Sequence, residues 1–356
     1  MISVKAPGKL YIAGEYAVVE NGYPAIIVAI DQYITANISE SENNVGVIHS
    51  KQYQDEKIEW IYDNNQIKLL NSNSSFGYVI SAMDTFEKYI EELSISHKVY
   101  NIDIDSNLNS EDGKKYGLGS SAAVTVATIK ALNELYNLSL SKTKIFKLAS
   151  IAHLTIQGNG SLGDVAASSF GGWIAYSSFD KKWLANQTDL KLLMEQDWPN
   201  LMIKPLTPPS DLKLLIGWTG TPASTSNLLK SVESSSNVEQ YNQFLNKSKR
   251  CINKMIDGFQ NKDIDVIKQQ INENRNIILE LANFTGINIE TDKLQRLCEI
   301  VEEYNGSGKS SGAGGGDCGI AILDKQSPIK DIESDWVENG IVPLHLHVYL
   351  EQEAYN

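Results

Sequence analysis

The sequence predicts a two-domain protein of mixed α+β architecture, and three observations carry that expectation. The chain has 356 residues, well above the roughly 100 to 200 of a usual single domain. Pro199, Pro205, Pro208 and Pro209 crowd one stretch where a helix cannot continue and a sheet ladder would lack donors, which sets a domain junction near 200–210. Both sides of that junction mix strand-like with helix-like patterns.

Before the junction, Asn21 and Gly22 mark a turn, 25–30 is a short apolar run, and Ile34, Ala36 and Ile38 alternate with polar residues as strands do. Residues 79–93 read as helix and 101–105 as strand, while apolar residues at helical spacing make 124–135 and 143–157 helices. After the junction, 212–218 is expected as a buried strand, followed by helices over 225–233, 238–259, 263–283 and 291–304. In the last of these, Leu294, Leu297, Cys298 and Val301 recur at spacings of three and four and form one buried stripe. Residues 319–323 and 342–350 are expected to close a second sheet, and Ser- and Asn-rich clusters at 71–75 and 231–237 read as loops.

A hydrophobic share of 42% with 21% charged residues is ordinary for a globular protein. The net charge of -13 disfavours nucleic acid and anionic membrane as partners, since both require a basic face. Arg250, Arg275 and Arg296 all lie outside the glycine-rich segments, so phosphate charge would be met by lysine, metal or backbone N–H groups. Cys251, Cys298 and Cys318 are widely spaced, and the sequence shows neither a signal-peptide pattern nor an apolar run of ~18 residues. A cytoplasmic protein is expected.

Three glycine-rich segments carry the chemistry. In the middle one, Gly117, Leu118, Gly119, Ser120, Ser121, Ala122 and Ala123 run into a helix. The glycines permit a tight turn and close approach, and the helix start offers unpaired N–H donors and a positive dipole end, as a polyphosphate cradle requires. A plain glycine turn before a buried helix is equally open from this segment alone. The first segment, residues 5–16, sets Lys5, Lys9 and Glu15 around Gly8 and Gly14, and the third, Ser310 to Asp317, comes after Gly308 and Lys309. Glycine loses the most backbone entropy on folding, so such density before a strand implies close approach to a ligand or another segment.

Three patterns fail on context. Gly158, Gly160 and Gly163 match a dinucleotide fingerprint but come after a helix. Gly308, Lys309 and Ser310 mimic the tail of a Walker A loop, yet Glu303 stands where its first glycine belongs. His345 and His347 alternate on the expected last strand without a third ligand.

The three segments, in this order, resemble the GHMP kinase family from residue 4 to about 323. The resemblance implies a ribosomal protein S5 domain 2-like N-terminal domain over 1–205, a ferredoxin-like C-terminal domain over 206–356, and an active-site cleft between them. It implies ATP as cofactor, with Gly117, Leu118, Gly119, Ser120, Ser121 and Ala122 on its phosphates. Lys9, Asp164 and Ser120 become catalytic candidates, and Ser120 and Ser121 candidate ligands of Mg2+. Lys5, Lys9, Tyr16, Ser161, Asp164, Ser310, Ser311, Gly312 and Ala313 become acceptor contacts, with Lys5 and Lys309 as charge partners. Residues 13–19 and 311–318 look most like family members that phosphorylate 5-phosphomevalonate. Mevalonate is the alternative acceptor, and a nonenzymatic nucleotide or metabolite sensor the alternative class.

One departure bears on the metal. Related kinases carry a magnesium-binding glutamate eleven residues before the aspartate, where this chain has His153. Imidazole suits magnesium poorly, so His153 is expected to be a packed or hydrogen-bonded helix residue. Taken without the family, Asp164 also reads as a helix N-cap.

Overall fold

The computed structural model describes residues 1–51, 56–64, 66–71, 76–108, 116–220 and 238–350. The helix expected at 225–233, the loop at 231–237 and residues 72–75 of the other cluster lie outside them. An eight-stranded sheet is built from β1 (Ile2–Ala13), β2 (Pro24–Glu40), β3 (Gly46–Ser50), β4 (Glu56–Asp63), β5 (Gln66–Leu69), β6 (Tyr100–Ser106), β7 (Trp173–Ser177) and β8 (Met202–Leu206). Its order is β5-β4-β3-β6-β2-β7-β8, with β1 paired to β2 off that path.

The apolar run and the alternating run of the sequence are one strand, β2, which pairs with β1, β6 and β7. β1 shifts register on β2 at Pro7/Gly8 and again at Tyr11/Ala13. Such bulges bend a strand and re-aim its side chains, and here they bracket Lys9 and Tyr11. Four helices, α1 (Gly77–Glu92), α2 (Ser120–Tyr136), α3 (Lys142–Gln157) and α4 (Gly163–Phe170), form the helical layer, with α2 and α4 packed on β1 and β2. Ala122, Ala123, Val126 and Ala127 bury the face of α2; mostly small, they let helix and sheet approach closely. Short α5 (Lys181–Ala185) and α6 (Leu190–Glu195) connect β7 to β8.

Pro205 sits in β8, the last strand of this path, where a missing N–H is tolerated, and Pro208 and Pro209 lie between β8 and the next sheet. That second sheet is antiparallel, in the order β10-β11-β9-β12, from β9 (Leu212–Trp218), β10 (Ser307–Ser310), β11 (Cys318–Asp324) and β12 (Val342–Pro343). Helices α7 (Val238–Asn261), α8 (Ile264–Thr285), α9 (Asp292–Glu303) and α10 (Ile329–Glu338) accompany it. Asp263 and Thr291 cap α8 and α9 by accepting from Val266 N and Leu294 N. The stripe Leu294, Leu297, Cys298 and Val301 is fully buried.

The expected strand over 342–350 is corrected to two residues. Pro343 has no N–H to extend the ladder, and the chain crosses instead to the first sheet. There Asp31 N donates to His347 O at 2.9 Å, Tyr349 N to Ala29 O at 2.9 Å, and Gly172 N to Tyr349 O at 2.7 Å. His345 therefore pairs with Glu333 at 3.4 Å and His347 with Asp31 at 3.1 Å, not with a common ligand.

Gly217, next to last in β9, shows how tightly α9 and the segment after α10 close on this sheet. A Cβ there would lie 2.7 Å from Leu297 Cδ1 and 2.9 Å from Ile341 Cγ2. Gly217→Ala should destabilise the protein by about 1–3 kcal/mol, seen as a lower denaturant midpoint with an unchanged m value; an unchanged midpoint would show that the interface yields.

Candidate active site

α2 begins at Ser120, earlier than the apolar periodicity places it, so the hydroxyl residues form its first turn. Gly119 precedes it at φ 81, and no side chain caps the helix. The N–H groups of that turn have no intrahelical acceptor and point outward with the positive end of the dipole. A Cβ on Gly119 would press on Lys9 Cε and Cγ at 3.2 Å and on Asp164 Cβ at 3.5 Å. The middle segment thus separates the lysine from the aspartate by the width of one glycine.

Lys9 is tied to the same loop twice. Its amide donates to Leu118 O at 2.9 Å and its ammonium to Gly117 O at 3.0 Å, with Nζ 5.6 Å from the centre of the Tyr11 ring. Asp164 lies in the first turn of α4 and accepts from Val165 N at 2.9 Å. It is not the N-cap. Leu162, in a left-handed conformation at φ 63, occupies that position without a side-chain bond, because an aspartate two residues later already faces the helix start. Tyr11 OH and Ser161 Oγ are 2.7 Å apart. Burial, then the nearby charge of Asp164, pushes the Tyr11 phenol far above its ordinary pKa, so it stays a neutral donor.

His153 on α3 is buried, with Nε2 3.3 Å from Ser121 Oγ and its ring 5.0 Å from that of Tyr78. Burial pulls its pKa below the ordinary value, and Asp164 opposes this only in part. An imidazole whose protonation burial disfavours therefore stands beside the glycine-hydroxyl loop.

The third segment meets the first through specific bonds. Ser311 Oγ donates to Tyr11 O at 2.9 Å, Gly312 N to Glu15 Oε1 at 3.3 Å, and Tyr16 OH to Ala313 O. Lys309 Nζ bonds Glu15 Oε1 and Ser310 O. Gly314 is pressed against Ile289 O, and Gly315 N donates to that carbonyl at 2.7 Å. A Cβ on Gly312 would meet nothing within 4 Å. The glycine density thus serves packing at one end of the loop and an open face at the other.

Four of the expected acceptor contacts are buried, bonded within the protein or set apart from the loop. Lys309 has no exposed surface and is paired with Glu15, so it does not serve as a charge partner for a ligand. Ser311 commits its hydroxyl to the Tyr11 carbonyl, and Ser310 is buried. Lys5 is exposed, with Nζ 4.8 Å from the Tyr33 ring centre. It lines a groove of about 440 Å³ with Lys130, Asn133 and Tyr349, ten residues along α2 from Ser120 and so about 15 Å from the cradle.

Asp317, which the motif pattern alone does not single out, lies against the middle segment. Its carboxylate lies against Gly117, where a Cβ would be 2.5 Å from Oδ2. Its carbonyl accepts from Thr219 N at 3.0 Å and Thr219 Oγ1 at 3.1 Å. Burial raises the Cys318 thiol pKa, with Asp317 adding to the shift and Lys9 opposing it, which sets both charges near that sulfur. The signal that marks Asp317 in the sequence is its place as the one acid ending a glycine run. Among the described residues, no group of three or more His, Cys, Asp or Glu side chains could hold a metal by itself.

Residues 77–172 match the GHMP kinases N terminal domain and 255–342 the GHMP kinases C terminal domain; the chain belongs to the GHMP kinase family. Within it, the chain is most like phosphomevalonate kinases. The phosphomevalonate kinase of a Streptomyces species is 34% identical over 97% of this chain and 96% of its own length. The structure of Streptococcus pneumoniae phosphomevalonate kinase in complex with phosphomevalonate and AMPPNP superposes with a TM-score of 0.84 at 30% identity, covering 98% of this chain and 100% of that one. A Listeria innocua protein of known crystal structure superposes with a TM-score of 0.91 at 37% identity, over 98% of both chains.

Proposed function

We propose that the protein transfers the γ-phosphoryl group of ATP to the phosphate of (R)-5-phosphomevalonate, releasing ADP and (R)-5-diphosphomevalonate in the mevalonate route to isoprenoid precursors. The observation that carries this reading is the meeting of Lys9, the uncapped start of α2 and Asp164 around Gly119.

A phosphate monoester has its second pKa near ~6, so at neutral pH its oxygen attacks without a strong general base. The task is to bring two polyanions together and to stabilise charge on the moving group. The residues divide that task among them. The N–H groups of Gly119 to Ala122 and the hydroxyls of Ser120 and Ser121 hold the ATP phosphates, as a helix start is built to do. Lys9 bridges the γ-phosphate and the acceptor oxygen. Asp164 holds Lys9 in register across Gly119. The open side of Gly312 and Ala313 receives the acceptor, while Tyr16 and Ser161 shape its walls through Ala313 and Tyr11. As the new P–O bond forms, the electron pair of the broken bond leaves on the β-phosphate oxygen of ADP.

Magnesium fits the donors present. Ser120, Ser121 and Asp164 supply hard oxygen atoms beside the nucleotide phosphates, whereas neutral His153 does not. When bound, the ion neutralises phosphate charge. No helix among the described residues is long and apolar enough to cross a membrane, and the three cysteines are free and buried, which suits the reducing cytoplasm where we place the enzyme.

ADP release measured side by side with phosphomevalonate, mevalonate, galactose and homoserine tests the proposal. Phosphomevalonate should exceed the others by at least about 100-fold in kcat/KM, because binding groups placed for a phosphate are left unpaired by an acceptor lacking one. Equal or better turnover of mevalonate would overturn the acceptor, and no ADP from any of them would favour a sensor.

A further inference from the structure

Glu15 lies just after β1 of the first sheet and Lys309 lies in β10 of the second, 294 residues apart in sequence. Lys309 is 0% and Glu15 3% exposed, so neither reaches a ligand. Their bonds nonetheless converge on the third loop. One carboxylate oxygen of Glu15 accepts from both Lys309 Nζ and Gly312 N, while the same Nζ donates to Ser310 O. The carbonyl before Ser311 and the amide after it are thus held from one buried point. Ser311 itself is held by Tyr11 O, and Ala313 by Tyr16 OH. Tyr16 adopts φ 62, a conformation a bulky side chain keeps only when its surroundings impose it.

A buried ion pair is a poor way to hold two domains together, since apolar residues of similar size do so as well or better. Direction is what the ions add, because each charged group also holds one main-chain partner in the loop, Glu15 the amide of Gly312 and Lys309 the carbonyl of Ser310. We propose that the Glu15–Lys309 pair is a positioning element of the acceptor site: it sets the backbone of residues 310–313 and thereby governs acceptor affinity and not nucleotide affinity. This rests on the acceptor reading given above. The nucleotide loop is held by Lys9, whose ammonium bonds Gly117 O and whose amide bonds Leu118 O.

The test is the double variant Glu15→Gln with Lys309→Met, which removes both charges and keeps the bulk. Its thermal midpoint should stay close to the parent's. KM for phosphomevalonate should rise roughly ten- to a hundred-fold, the scale of a misplacement near 1 Å, while KM for ATP changes less than about threefold. Amide hydrogen exchange at Ser311 and Gly312 should accelerate, with residues 117–121 unchanged. Unaltered acceptor KM and unaltered exchange in the folded variant would overturn the proposal. So would a variant in which both KM values rise together with a collapsed midpoint, since the pair would then be merely structural. If the parent does not use phosphomevalonate, the acceptor reading fails by itself, and the exchange rates still decide whether the pair positions the loop.

Discussion

Lys9→Met should lower kcat by about 10³-fold or more, the scale seen when a cationic partner of a phosphoryl-transfer transition state is removed, with circular dichroism and thermal midpoint close to the parent's. The fold does not depend on this ammonium. Among the described residues its ammonium bonds Gly117 O alone, and the lysine is half-buried, so its loss leaves one carbonyl without that donor. Transfer between two polyanions does depend on it, because the chain carries a net charge of -13 and none of its three arginines lies in a glycine-rich segment. Arg275 is bonded to Glu290 and Glu302, and Arg296 to Glu299 and Glu303. Turnover within tenfold of the parent would remove Lys9 from the mechanism.

Asp164→Asn should lower kcat by about 100-fold, at the low end of the ~10² to 10⁴ range for a group that assists the reacting centre. The amide still accepts from Val165 N, so α4 should form unchanged. The variant loses the negative charge that, in the proposed mechanism, holds Lys9 across Gly119. Since that loss acts through Lys9, Asp164→Asn should add little in a Lys9→Met background, a non-additivity that a double-mutant cycle measures. If Asp164→Asn keeps more than about a tenth of the parent's turnover, the carboxylate neither moves a proton nor orients the lysine.

Much of the fold is legible in the sequence because its periodicities are strong. The stripe on α9 and the strand Leu212–Trp218 are read directly from apolar spacing. β7 is not, since Trp173–Ser177 is buried at every position and shows no alternation. The tail shows the opposite failure: His345 and His347 alternate like strand residues, yet their partners come from α10 and from β2. No local pattern reports which sheet a departing segment will meet.

The site divides in the same way. The glycine-hydroxyl run points to a helix start in local sequence, and α2 begins within that run. Lysine burial is invisible there, because lysines are almost never fully buried unless paired, and the partner of Lys309 lies at the other end of the chain. The same reasoning explains why Lys5 looks equivalent to Lys9 in the sequence. Four residues along a strand are about 13 Å, and the bulge at Pro7/Gly8 between the two lysines re-aims the rest of the strand. Asp164 is ambiguous between cap and active-site acid until Leu162 is seen in the cap position.

The most direct test of the central claim is phosphorus NMR of the product formed from ATP and phosphomevalonate. The account predicts a coupled pair of diphosphate resonances growing as the monoester resonance falls, in step with ADP. A monoester signal that persists while ADP accumulates, or a second monoester appearing in its place, would contradict it.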